Sequence, residues 1–189
     1  WLPRPDLAGL RVLFVDDNPT NLFLFQSYAT SWNLEGITTT RPEQALPLLR
    51  EAAQSDQPFD LAILDFQMPG LDGLTLGRLV KEDPDLAKTK LMLLTSIGHR
   101  GEAAVAHEVG FAGYLTKPIH KIQLHDGIAT IMGYCMTEEP HKPRPLVTRH
   151  TLSETQRQVR ENILVADDHA INQQLVVLLL NRLGFSSEE

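Results

Sequence analysis

Three carboxylates each close a short apolar run. "RVLFVDD" puts Asp16 and Asp17 directly after one run, and "LAILDF" puts Asp65 near the end of another. Two further runs end on complementary groups. "KLMLLT" closes on the hydroxyl of Thr95, and "AGYLT" is followed at once by the ammonium of Lys117. If these runs are neighbouring parallel strands, the five side chains meet at one sheet edge, where open α/β sheets bind their ligands. Two carboxylates 4 Å apart repel by roughly 4 kcal/mol at an effective dielectric of 20. A hard divalent cation with oxygen ligands relieves that repulsion, and magnesium is the usual choice beside phosphate. Three carboxylates, one ammonium and one divalent cation are neutral together, which leaves room for an incoming phosphoryl group. Phosphoryl transfer is mostly positioning and electrostatic stabilisation, and a carboxylate can be its nucleophile. Asp65 is the candidate nucleophile because it stands alone on its strand. The Asp16–Asp17 pair is better placed to hold metal.

The elements that must position these groups alternate in type. Residues 11–15, 61–66, 90–95 and 112–116 read as strands, and 34–39 as a weaker one. Helical spacing fills the gaps over 42–54, 72–82, 100–109 and 119–132. An earlier helix has Leu22, Phe25, Tyr28 and Trp32 on one face, with Asn18 as cap and Pro19 at its first position. Five strands alternating with five helices predict an α/β fold, a parallel sheet covered on both faces by right-handed crossovers. The strands are almost continuously apolar, as burial on both faces requires.

Past Gly133 the alternation stops. Residues 134–160 contain "TEEPHKPRPLVTRH", proline-rich and basic, which reads as an extended linker. In "TLSETQRQVR", Thr151 and Glu154 are spaced as a capping box for a short polar helix. Then "NILVADDHAINQQL" repeats "RVLFVDDNPTNLF" at an offset of 151 residues, so that Asp167 and Asp168 match Asp16 and Asp17, and Asn172 matches Asn21. Residues 161–189 therefore read as the truncated start of a second domain. Asp167 and Asp168 have no downstream Asp, Thr or Lys partner and form an incomplete site. The apolar run Leu175 to Leu180 predicts that 161–185 either self-associates or stays poorly ordered in solution.

Net charge is −7 and unevenly spread: 11 Lys+Arg against 16 Asp+Glu in 1–133, 5 against 3 in 134–160, and 1 against 5 in the rest. An acidic main body argues against nucleic acid as a direct partner. No apolar run approaches the ~20 residues of a membrane helix, so no direct membrane contact is expected. Cys135 is the one cysteine, and with no signal peptide before the first strand it predicts a reducing, cytoplasmic setting. A start at Trp1 marks residues 1–9 as the tail of a preceding domain. His99, His107, His120 and His125 show no ligand-like clustering and are expected at the surface, and His169 as a helix cap or exposed residue.

"VDDNPTN", "LAILDFQMPGLDGL", "LLTS" and "YLTKP", in that order and spacing, resemble the receiver domain of two-component response regulators over residues 10–133. The resemblance implies a flavodoxin-like, doubly wound sheet in the order 2-1-3-4-5. It implies that Asp65 accepts a phosphoryl group from phosphohistidine on a histidine kinase or phosphotransfer domain. Asp17 and Asp65 would bind Mg²⁺ (or Mn²⁺) directly and Asp16 through water, with the backbone carbonyl of Gln67 completing the protein ligands. Thr95 and Lys117 would contact the phosphoryl oxygens, Tyr114 would be a switch aromatic following Thr95, and the Lys117–Pro118 bond would be cis. "VADDHAIN" resembles the start of another receiver, and "RPLVTRHTLSE" the linkers between receivers of hybrid sensor histidine kinases, whose parent chain is membrane-anchored in many cases. The alternatives are a stand-alone multi-domain response regulator and a docking-only receiver.

Of two neighbouring chemistries, the residues fit one poorly and exclude the other. A phosphatase of the haloacid dehalogenase type needs D-x-D after its first strand, whereas Asp16 and Asp17 are adjacent. A dinucleotide site needs a glycine-rich turn there, and "DDNPTN" has none. The fragment is not expected to be a turnover enzyme by itself.

Overall fold

The computed structural model describes residues 6–96, 101–133 and 146–148. The chain divides into two units, Trp1–Arg149 and His150–Glu189, and every described residue belongs to the first. The helix expected over 151–160, the repeat with Asp167 and Asp168, and the stretch 161–185 expected to self-associate lie outside the described residues.

The five expected strands form: β1 (Arg11–Val15), β2 (Glu35–Thr39), β3 (Leu61–Asp65), β4 (Lys90–Thr95) and β5 (Gly113–Thr116). All pair in parallel, in the order β2-β1-β3-β4-β5. A sixth strand, β6 (Val147–Thr148), adds in parallel to β5 from within the stretch expected to be linker. The helices are α1 (Pro19–Ser31), α2 (Ala45–Gln54, preceded by a 3-10 turn at Pro42–Gln44), α3 (Gly73–Glu82), α4 (Glu102–Val109) and α5 (Lys121–Met132). This is the flavodoxin-like doubly wound arrangement.

Pleating separates the apolar side chains into two layers. Leu13, Ala62, Leu64, Leu91 and Leu93 face one core with Leu49 of α2, Leu76 of α3 and Ala106 of α4. On the opposite face, Phe14 stacks on Phe25 of α1 with ring centroids 5.5 Å apart. Every residue of β3 is buried, as expected of a central strand. At about 1.5–3 kcal/mol per buried large aliphatic side chain, these strands anchor the residues at their ends.

Local chemistry sets where helices begin. Asn18 caps α1 by accepting from Thr20 N, and Pro19 supplies the first helical residue. Asp72 caps α3, accepting from Thr75 N at 2.7 Å and Thr75 Oγ1 at 2.9 Å. The α1 face is narrower than its spacing suggests: Leu22, Phe25 and Ala29 are buried, while Tyr28 and Trp32 are half-buried. Those two rings meet at a tilt of 35°, and the Lys121 ammonium of α5 lies over both. His125 departs from the expected surface position. It is buried on α5 with its ring edge-on to Trp32. His107 and His120 are exposed as expected, and His99 and His169 lie outside the described residues.

The N-terminal stretch joins this layer. Leu7 is fully buried, and Gly9 N donates to Asn33 O at 2.9 Å. Among the described residues, no helix is long and apolar enough to cross a membrane.

Candidate functional site

Asp16 follows β1, Asp65 ends β3, Thr95 ends β4, and Lys117 follows β5 by one residue. The parallel register brings these strand ends together. Backbone bonds lock the junctions: Phe66 N donates to Leu94 O at 2.7 Å, and Lys117 N to Thr95 O at 2.7 Å. One carboxylate oxygen from each of Asp16, Asp17 and Asp65 lies within 4.8 Å of the other two. At that separation a pair repels by about 3.5 kcal/mol at an effective dielectric of 20.

The three carboxylates are not equivalent. Asp16 is 1% exposed and heavily bonded. Its Oδ1 accepts from Asn18 N and Asn21 Nδ2, and its Oδ2 from Asn21 Nδ2 and, at 2.8 Å, Lys117 Nζ. Asp17 is exposed and faces an open depression lined also by Phe66, Gln67, Met68, Pro69 and Asp72. Asp65 is buried. Lys117 Nζ stands 2.9 Å from its Oδ1, an ion pair by distance, yet off the geometry of a hydrogen bond, so this buried oxygen keeps an open acceptor site.

Electrostatics follow from that placement. Burial raises the Asp65 carboxyl above its ordinary pKa; the adjacent Lys117 pulls it down, and the charges of Asp16 and Asp17 push it up again. Burial alone would lower the Lys117 ammonium, but the Asp16 and Asp65 carboxylates beside it win and hold it above the usual lysine value. An acidic, all-oxygen donor set with an unsatisfied buried oxygen fits a hard divalent cation.

Tyr114 sits beside this edge, 6% exposed on β5. Its hydroxyl donates to Glu102 Oε2 at 2.9 Å, at the start of α4. Burial, and then the Glu102 bond and charge, push the phenol up to about 12, while a hydrogen bond from Thr95 works in the opposite direction. The Lys117–Pro118 peptide is cis.

Two residues of the site escaped sequence reasoning. Asn21 holds both oxygens of Asp16, and its signal was its reappearance beside the second acidic pair as Asn172. Glu102 carried no signal, because it meets Tyr114 only through the fold.

Comparison with known proteins agrees with this geometry. The family model described as response regulator receiver domain matches residues 12–129. The chain is 35% identical over 114 residues to response regulator PleD of Caulobacter vibrioides, a match that takes in 60% of this chain and 24% of PleD. It is 32% identical over 117 residues to sensor histidine kinase GacS of Pseudomonas protegens, covering 60% of this chain and 12% of GacS. The chain thus spans a quarter or less of those two relatives. Among solved structures it is similar to the receiver domain of a Pseudomonas aeruginosa sensor histidine kinase with a magnesium ion coordinated in its active-site cleft. That likeness has a TM-score of 0.57 at 25% identity, over 67% of this chain and 99% of the other. With the Asp16, Asp17 and Asp65 cluster typical of magnesium-binding receiver sites at the sheet edge, the chain belongs to the response regulator receiver family.

Proposed function

We propose that this domain accepts a phosphoryl group from a phosphohistidine, carried by a histidine kinase or phosphotransfer domain, onto Asp65. The observation that carries the reading is the open, buried Asp65 Oδ1 between the Lys117 ammonium and the acidic pair. An Asp65 oxygen attacks phosphorus, the phosphorus–nitrogen bond breaks, and its electron pair leaves on the imidazole nitrogen. Asp17, Asp65 and the Gln67 carbonyl would hold Mg²⁺ or Mn²⁺. Asp16, already bonded to Asn18, Asn21 and Lys117, would reach the ion through water and not bind it directly. A cation held there would neutralise charge on the carboxylates and the phosphoryl oxygens. Lys117 and Thr95 orient those oxygens, and Tyr114 follows Thr95 as the switch aromatic.

Acetyl phosphate with Mg²⁺ should label the protein, and Asp65→Asn should take no label; label persisting on that variant would remove Asp65 from the role. Asp17→Ala should stay folded and lose the metal dependence. Transfer from a purified phosphohistidine-bearing phosphotransfer domain tests the donor class.

The parent reading is a hybrid sensor histidine kinase rather than a multi-domain response regulator. Its support is the second acidic strand motif at 162–172 together with the likeness to GacS. A kinase core encoded upstream of Trp1 in the parent gene would bear it out, and an effector domain with no kinase core would replace it.

A further inference from the structure

β6 occupies a strand edge that a bare receiver sheet would leave open. Val147 N donates to Ala112 O at 2.9 Å, and the register pairs Gly113 with Val147 and Tyr114 with Thr148. Registered residues of neighbouring strands point to the same face. Leu146 and Thr148 therefore lie on the Tyr114 face, and Leu146 packs against the core that contains Tyr114. Val147 points to the α5 side and is 6% exposed.

Tyr114 thus links three parts of the fold: the site through Thr95, helix α4 through Glu102, and β6 through its register with Thr148. Docking of β6 uses one buried valine, a partly buried leucine, the ladder bonds and a further contact of Thr148. These oppose the backbone entropy of fixing Leu146–Thr148, about 1–2 kcal/mol per residue, so gain and cost are of similar size. A phosphoryl group on Asp65 would offer the Thr95 hydroxyl a charged acceptor, and charge-assisted hydrogen bonds are roughly twice as strong as neutral ones. A Thr95 that turns to it stops donating to Tyr114, and Tyr114, the register partner of Thr148, loses one of the two bonds that hold its hydroxyl.

We infer that Leu146–Thr148 is an internal ligand of the β5 edge, docked when Asp65 is unmodified and released when Asp65 is phosphorylated, so that the stretch after the receiver reports the state of the site. This rests on the phosphoacceptor reading of Asp65. An uncovered β5 edge then presents unpaired backbone groups to another strand. Coupling is reciprocal, so releasing β6 by mutation must favour the phosphorylated state.

The test uses the full 189-residue chain. Hydrogen exchange at the Val147 amide is followed before and after acetyl phosphate with Mg²⁺, while intact mass reports loading of Asp65. Exchange should accelerate at least about fivefold on loading, and Thr95→Val should accelerate it without phosphate. Val147→Pro, which deletes the donor to Ala112, should raise the steady-state phosphorylated fraction. A gain in mass with unchanged or slower exchange overturns the inference and leaves the phosphoacceptor reading standing. Absence of any gain in mass overturns that reading and the inference with it. A Val147→Pro protein that folds and loads like the parent also overturns the inference.

Discussion

Gly73→Ala should disable the site without altering any group that reacts. Gly73 opens α3, and its N–H donates to Phe66 O at 3.1 Å, so the helix starts pressed against the strand end that carries Asp65. A β-carbon there would lie 2.9 Å from the Asp65 carbonyl carbon, nearer still to its oxygen, and 3.1 Å from Leu93 Cδ1. Carbon atoms in good contact sit about 3.5–4.0 Å apart. Leu93 can turn its side chain, but Asp65 is backbone in a central strand, so the start of α3 must retreat by ~0.5–1 Å and draw the 66–72 turn with it. Overpacking of this kind costs about 1–3 kcal/mol, and a misplacement near 1 Å can cost ~100-fold in rate. Urea denaturation should show the variant about 2 kcal/mol less stable. Phosphorylation by acetyl phosphate should fall ~10- to 100-fold per folded molecule. Gly77→Ala is the control: its β-carbon would overlap the Phe111 ring, away from Asp65, and lie 3.4 Å from Leu91 Cδ1. It should lose similar stability and phosphorylate within about twofold of the parent. Gly73→Ala labelling at the parent rate, or Gly77→Ala labelling as slowly as Gly73→Ala, would refute the argument.

Other perturbations address the charges. Asp65→Asn should melt higher than the parent at neutral pH in EDTA, because burial makes the carboxylate costly. Its raised pKa means the folded chain takes up that proton first as pH falls, so the advantage of Asn shrinks on acidification and closes below the ordinary carboxylate range. Lys117→Met leaves Asp16 and Asp65 buried without their cation; losing one partner of a buried pair costs about 3–5 kcal/mol, and 19% exposure of the lysine side chain puts this case at the low end. Adding Asp65→Asn should restore part of that loss in a denaturation cycle, and strict additivity would mean the pair is uncoupled. Mg²⁺ should raise the melting temperature of the parent by mass action; an equal rise in Asp17→Ala would take Asp17 out of the metal site. Tyr114 should titrate by ultraviolet absorbance near 12 instead of 10.0. Its contribution to stability is full below pH 10 and is lost as pH rises toward 12, and Tyr114→Phe should flatten that part of the curve.

Strand ends were legible because burial on both faces forces continuous apolar runs, and a charged residue closing such a run has to be explained. β6 was not legible. Val147 and Thr148 sit among prolines and basic residues, two residues hold no periodicity, and their extended state comes from the β5 edge they pair with. His125 misled for a related reason. It lies between Leu124 and Ile128 on the buried side of α5, but a histidine carries no apolar signal, and Trp32 comes from a helix far away in sequence.

The acidic pair shows how far residue type carries an argument about a site. "DD" after a strand announces carboxylates at a sheet edge, but consecutive side chains of extended chain point to opposite sides, so the two cannot share one role. Here Asp16 turns inward, where Asn18, Asn21 and Lys117 use its acceptor sites, and Asp17 turns outward beside the open depression. Asn21 is what makes the inward carboxylate tenable, since it meets both oxygens without adding charge. Asp16 therefore serves as a fixed anchor for Lys117, which keeps the ammonium beside Asp65, while Asp17 holds its carboxylate at the open depression. That division follows from which side of the backbone each residue occupies, and exchanging the two identical side chains in thought changes nothing: position assigns the work.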